Sequence, residues 1–414
     1  MAPFAVEEIL GKLGTFLVYL VIGGAFGAVL EMAGFADSRR LAAQFYFRNM
    51  TVLKVMFGAI VVAMTLIFLS SSLGLLDYNR LWVNPTYMVP GIVGGLIMGL
   101  GFIIGGFCPG TSIVAVATLK LDGLAFLLGA GFGVLVFGET VSGFEGFYHS
   151  TSMGRVTVPG FFGVPTGLVV LMVVVMALVA FWGAEQLERR FGDPRDLPRP
   201  RPRWQRVALA ASPLALAFLT LGLGQPTAAQ RWERLPEATR SQLDQRAVQI
   251  HPGELIELAQ NPAVNLVILD VRDEADYNLF HLSDSRRVTL DEVASGLVSL
   301  NLLSAPAGTV TVLVSNDEVR ASQAWKLLVA ESVLNVYILE GGINAWLERF
   351  GHVGHERCVD LDPAQTGSTL RHRFERAIGS AHPSADLDSL STGGLEYTKK
   401  VTLQVRKTRG GGCG

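Results

Sequence analysis

Five or six runs of about 20 residues, nearly free of charge, follow one another between residues 13 and 223, each the length an α-helix needs to cross the hydrocarbon core of a bilayer. They are 13–32, 53–76, 87–107, 123–141, 164–182 and the weaker 204–223. A water-soluble fold cannot bury so many continuous apolar segments in a chain that is 50% hydrophobic and 17% charged. An all-α polytopic membrane domain is expected there. Residues 111–119 are apolar too, but that run is too short to span.

The acidic start, MAPFAVEEIL, lacks the basic opening of a secretory leader, so the first run is read as a retained span. Beyond Arg231 the composition becomes that of an ordinary soluble domain. The expected division is a membrane domain at 1–224, a linker at 225–250, a soluble domain at 251–354 and a C-terminal extension at 355–414. A net charge of -2 leaves no footprint for nucleic acid. Cys108, Cys358 and Cys413 are odd in number and far apart, which argues against a disulfide framework.

Basic residues set an orientation. Arg39, Arg40, Arg48 and Lys54 follow the first span, and Arg189, Arg190, Arg195, Arg199, Arg201, Arg203 and Arg206 surround the link between the fifth and sixth. By the positive-inside rule both flanks are cytoplasmic, which puts the soluble domain on the non-cytoplasmic side after six crossings. A re-entrant segment would break that alternation.

In GGFCPGTS, residues 105–112, Cys108 sits between a glycine pair and a Pro-Gly turn, just ahead of the short run. A helix broken here would point a new N-terminus, with free N–H groups, at an anion. Irregular backbone at bilayer depth occurs only against protein or a cavity. Gly105, Gly106, Cys108, Pro109, Gly110, Thr111 and Ser112 are therefore the candidate substrate path, with Thr111 or Ser112 as the helix cap. Gly91, Gly94, Gly95, Gly99, Gly101, Gly105 and Gly106 would keep the preceding span thin for close helix approach. The plainer alternative is packing, since glycine stripes and small apolar cysteines commonly serve helix contacts. Glu31 and Glu139 stand at span ends and read as capping or snorkelling carboxylates.

Together with GAFGAVLEMAGF (24–35) and NMTVLKVMFGAIVVAM (49–64), GGFCPGTS resembles the YeeE/YedE sulfur-transport family, from the N-terminus to Arg190. The resemblance implies a bacterial inner-membrane protein that passes thiosulfate or a related small sulfur anion along cysteines at a constriction. Cys108 matches the cysteine of the family's Cys-Pro-Gly. Longer members carry two such repeats and this chain has one, so a complete pathway implies a homodimer or other oligomer. Ala36 stands where some members place another cysteine. The span cores hold no Lys or Arg, so a passing dianion would meet neutral donors. A thiol is a weak donor, which suits a site that must release its occupant.

From His251 onward NLVILDVRD, TVTVLVSND, QAWKLLVAE, LNVYILEGG and INAWLERFG alternate short apolar runs with amphipathic stretches, the pattern of an α/β domain with a parallel sheet. Asp270 and Arg272 at a strand end, then Tyr277 and His281, then EGGINAW with Gly341, Gly342 and Trp346, resemble a rhodanese-like domain. That family carries persulfide on a cysteine after the fourth strand, in a Cys-x-x-Gly-x-Arg loop. Here the loop reads SNDEVRAS, with Ser315 at the cysteine, Glu318 near the glycine, and Arg320 and Ser322 retained. A serine hydroxyl stores no sulfane sulfur, and Glu318 brings negative charge to an anion cradle. The resemblance therefore implies a catalytically degenerate loop.

In the extension, RHRFERAIG reads as a polar helix and YTKKVTLQVRK as a strand. Cys358, next to His355, reads as structural or incidental. Cys413, tethered by the glycines at 410–412, is either a frayed end or a sulfur carrier. No metal or other cofactor is expected. The reading is a transporter for thiosulfate or a related compound rather than an enzyme, with a rhodanese-like domain that binds or delivers sulfur. A membrane-anchored sulfurtransferase or carrier adaptor using Cys413 is the alternative, and a sulfur-carrier protein is a further expected partner.

Overall fold

A computed structural model describes residues 2, 4, 6–81, 83–192, 202–306, 308–351, 359–360, 369–374 and 376–404. The chain divides into two compact units, one reaching Pro226 and one running from Thr227 to Arg409.

The first unit is helical. In chain order it holds α1 (Val6–Met32), α2 (Ser38–Ala43), α3 (Thr51–Ser72), α4 (Met88–Gly105), α5 (Pro109–Ala117), α6 (Leu121–Thr140), α7 (Glu145–Tyr148), α8 (Val158–Phe162), α9 (Thr166–Phe191) and α10 (Arg203–Leu223). Among the described residues five stretches are long and apolar enough to cross a membrane, and α10 qualifies only when taken with the helix that follows it. The α3, α9 and α10 helices pack together around Val61, Val170, Val174, Ala177 and Ala217.

Hydrogen bonds between connections sort them into two ends. At the first end Asp77 N–H donates to Ala2 O (2.9 Å), Thr86 N–H to Gly154 O (2.8 Å) and Ser71 Oγ to Gln225 Oε1 (2.8 Å). At the second end Ser38 Oγ donates to Asp122 Oδ2 (3.1 Å) and Met50 N–H to Glu188 Oε1 (2.6 Å). The six long helices therefore alternate between the ends. The nine-residue α5 begins and finishes at the second end, beside the 34–38 loop and the start of α6, so it does not cross and the alternation stands. Arg39, Arg40, Arg48, Lys54, Lys120, Arg189 and Arg190 lie at that second end; Lys12, Arg80 and Arg155 lie toward the first. Glu31 and Glu139 are exposed last-turn residues of α1 and α6.

The glycine-stripe expectation fails over most of α4 within a single chain. An added Cβ at Gly91, Gly94, Gly95, Gly99 or Gly101 would meet nothing within 4 Å, and only at its end does the helix make close approaches, at Gly105 to Phe126 and at Gly106 to Ser38.

The second unit has a five-stranded, all-parallel sheet in the order β1-β5-β4-β2-β3, formed by β1 (Gln249–Ile250), β2 (Asn265–Asp270), β3 (Ser285–Arg287), β4 (Thr309–Val314) and β5 (Val336–Leu339). The three interior strands, β2, β4 and β5, are mostly Val, Ile and Leu, as a sheet covered on both faces requires. The helices are α11 (Ala228–Arg234), α12 (Glu237–Arg240), α13 (Pro252–Ala259), α14 (Glu274–Leu279), α15 (Leu290–Ala294), α16 (Leu297–Leu303), α17 (Val319–Ala330) and α18 (Gly342–Phe350). Trp325 and Trp346 are the largest buried side chains of the core.

Three assignments are corrected. Residues 225–250 are not a bare linker. They supply α11, α12 and β1; Trp232 meets Trp325 edge-on at 5.8 Å, and Arg231 pairs with Glu331. The extension is likewise part of the domain, because Leu370, Ala385, Leu387 and Leu390 lie in its core. Its secondary structure also differs from expectation. The described residues of 371–379 form no helix; His372–Arg373 instead pairs antiparallel with Val359–Asp360. Residues 397–404 form no strand, because their main-chain groups bond to side chains rather than to a neighbouring strand.

Candidate functional site

The Cys108 turn is built from a helix stop and a helix start. Gly106 closes α4 in the left-handed region (φ 71), where its missing side chain admits Ser38. A side chain at Gly105 would strike the Phe126 ring at 2.5 Å. Phe107 is buried with Phe35, Leu41, Val52 and Ala115, so the turn lies level with the start of α3; Ala36, next to Phe35 in the chain, is also buried. Pro109 then opens α5, where its fixed φ suits the first turn, and Gly110 follows it.

The cap is Cys108 itself, not Thr111 or Ser112. Thr111 N–H donates to Cys108 Sγ at 3.4 Å, and Cys108 N–H donates to Thr111 Oγ1 at 2.9 Å, a reciprocal capping box with a thiol in place of a hydroxyl. Thr111 Oγ1 also lies 3.3 Å from Sγ. Ser112, fully buried, donates to Pro109 O at 2.7 Å. Cys108 is partly exposed, as is Gly110, and Pro109 between them is exposed, so this side of the turn meets the surroundings.

Another polar cluster at this end escaped sequence reading. Glu188 of α9 is 4% exposed and binds Met50 N–H and Lys54 Nζ (2.5 Å), tying the end of α9 to the start of α3. The signal was one of two carboxylates, Glu185 and Glu188, just past the apolar run, indistinguishable in sequence from a span-end charge.

In the second unit, the loop after β4 is closed by its own side chains. Ser315, 1% exposed, donates from Oγ to Asp317 O (2.5 Å) and accepts Ala321 N–H (3.3 Å), while Asp317 Oδ1 accepts Val319 N–H (2.9 Å). Two N–H groups at the start of α17 that could cradle an anion therefore already serve the chain's own oxygens. The Glu318 carboxylate is held by both guanidinium nitrogens of Arg246 (2.8 and 3.1 Å) and by Gly341 N–H (2.8 Å). That hydrogen bond raises Arg246 above its already high value. Arg246 lies in the stretch expected as a linker, so no motif pointed to it.

Arg272 and Asp270 form a buried pair (2.6 Å), and Arg272 also donates to Phe280 O (2.7 Å) and Asn316 Oδ1 (3.2 Å), fixing the loop's second residue. Arg320 turns away to Asp273 (2.6 Å), whose carboxyl this contact holds below its ordinary range. Ser322, half-buried, donates its N–H to Glu318 O. Tyr277 and His281 stack at 3.9 Å, and the Tyr277 hydroxyl bonds Ser285 O. Gly342 (φ 62) lets α18 approach the loop, since a Cβ there would lie 2.4 Å from Ser315 O; Ile343 N–H bonds that same oxygen. Cys358 and Cys413 lie outside the described residues.

Comparison with known proteins agrees with both halves. Residues 38–236 match the family model described as Sulphur transport, and residues 251–349 match that of the Rhodanese-like domain. No curated protein and no solved structure matches the chain. The chain is therefore a fusion of a YeeE/YedE-type sulphur-transport membrane domain with a rhodanese-like domain.

Proposed function

We propose that the membrane unit passes thiosulfate or a close sulfur oxyanion past the Cys108 turn, and that the rhodanese-like unit binds or delivers sulfur without turning it over at its own loop. The observation that carries this reading is Cys108 as the N-cap of α5, a half-exposed thiol where an apolar helix breaks. A thiol is a weak donor to an anion, which favours passage over retention. The closed Ser315 loop and the Glu318–Arg246 clamp support the non-catalytic role of the second unit.

The basic residues at the second end support a cytoplasmic placement of the Cys108 turn, with residue 225 and the soluble domain on the other face of a bacterial inner membrane. One Cys-Pro-Gly per chain supports a pathway completed by two copies. The test is substrate protection. In proteoliposomes a membrane-permeant maleimide should label Cys108 and stop thiosulfate flux, and thiosulfate should slow both. Complete labelling of Cys108 with undiminished flux would overturn the reading.

A further inference from the structure

Residues 397–404 cross the second unit outside its sheet, with their main chain bonded to side chains. Glu254, 3% exposed, accepts through Oε1 from Lys400 N–H (2.9 Å) and Val401 N–H (2.8 Å). The Tyr337 hydroxyl accepts Thr402 N–H (3.1 Å) and donates to Thr402 O (3.2 Å). Asn335 treats Gln404 the same way, accepting its N–H (2.8 Å) and donating to its carbonyl (3.0 Å).

Side chains add a second layer of recognition. Tyr397 stacks on His251 at 4.8 Å, Lys399 pairs with Glu257 at 2.5 Å, Lys400 Nζ donates to Gln249 O at 2.8 Å, and Val401 packs on the core. These residues form a groove for an extended peptide with an aromatic, then two basic, then an aliphatic residue. The chain's own arm fills it.

The arm also has a hinge. Upstream, the chain is anchored by buried Leu390 and by Gln260 Nε2, which bonds Leu387 O and Leu390 O. Between that anchor and the groove lie Gly393 and Gly394, the latter at φ 88 with open space around it.

We propose that this arm exchanges between copies, residues 395–404 of one chain seating in the Glu254–Tyr337–Asn335 groove of a second. The groove names its occupant, because the arm supplies each of the groups it binds. Exchange replaces every contact by its equal, and two glycines permit the swing, the conditions under which swapping is a low-cost route to a dimer. Confinement of both copies to one membrane raises the effective concentration of the second groove. The soluble units of two copies are then joined directly, independently of any contact between their membrane units.

The experiment uses full-length chains in vesicles, with Cys108, Cys358 and Cys413 changed to Ser. One population carries Lys399→Cys and the other Glu257→Cys, and a short bismaleimide is added after long co-incubation. A heterodimer band found only in the mixture, and lost when Glu254→Ala and Asn335→Ala are placed in the Glu257→Cys chain, is the expected result. A chain with both cysteine substitutions reports total seating. If it cross-links completely within itself while the mixture stays monomeric, the arm remains in its own groove and the proposal is overturned. A heterodimer that persists with the groove broken would overturn it as well.

Discussion

Lys54→Met leaves the Glu188 carboxylate buried and charged, with Met50 N–H still bound to it. Removing one member of a buried ion pair costs about 3–5 kcal/mol, because the remaining charge is uncompensated. Two features place this pair at the lower end of that range. The Lys54 side chain is 25% exposed, and one carboxylate oxygen keeps its backbone donor. Glu188→Gln removes the charge, retains an acceptor for Met50, and leaves Lys54 able to reach the headgroup region, at about 1–2 kcal/mol. The double substitution has no buried charge to strand. It should therefore cost little more than Glu188→Gln alone, giving a coupling of about 2–3 kcal/mol. Thermal unfolding of the purified chain in detergent, followed by tryptophan emission, measures all four proteins. Lys54→Met should melt lowest, and adding Glu188→Gln should recover most of the loss. If the two losses simply add, the carboxylate is not buried against Lys54, and the pinning of α3 to α9 at one end of the bundle is wrong.

Three further outcomes follow from the second unit. A fragment spanning 251–354 should show no cooperative melt by circular dichroism, because it lacks β1, Trp232, Leu370 and Leu387, whereas 227–404 should fold; a cooperative melt of the shorter piece would refute the corrected boundaries. In the 227–404 piece, Ser315→Cys alone should give no thiosulfate:cyanide turnover while Glu318 stays clamped by Arg246, and adding Glu318→Gly should make turnover detectable; equal rates in both would dismiss the clamp. His251 is held below its ordinary value of 6.5, first by burial and then by Arg349, with Lys400 adding to the effect and Glu340 opposing it. The unfolded chain then binds more protons than the folded one below pH 6.5, so stability should fall as pH drops through that window. An NMR midpoint for His251 at or above 6.5, or an unchanged pH slope in His251→Gln, would remove this contribution.

The apolar runs made the membrane helices readable, since lipid leaves few alternatives to a helix of that length. Asp270, Arg272, Gly341 and Gly342 were readable because a buried ion pair and two left-handed positions tolerate few substitutes. Other features left weaker traces. Cysteine is not a usual N-cap, so the hydroxyls of Thr111 and Ser112 looked like better candidates than the residue that does the capping. Arg246 gains its meaning from Glu318, 72 residues away, and Glu188 from Lys54, 134 residues away; neither partner is visible in a local window. The alternation of YTKKVTLQ signals an extended segment, and only the structure shows that Glu254, Tyr337 and Asn335 take the place of a neighbouring strand.

Uptake of labelled thiosulfate into proteoliposomes, compared between the wild type, Cys108→Ser and Cys108→Ala, tests the central claim most directly. Serine keeps an acceptor for Thr111 N–H and so preserves the capping box, while alanine loses both cap and thiol. If the thiol itself contacts the passing anion, both variants lose flux, and Cys108→Ser does so with its thermal stability retained. Wild-type flux in both would contradict the account, leaving Cys108 as a helix cap at a site the substrate does not visit.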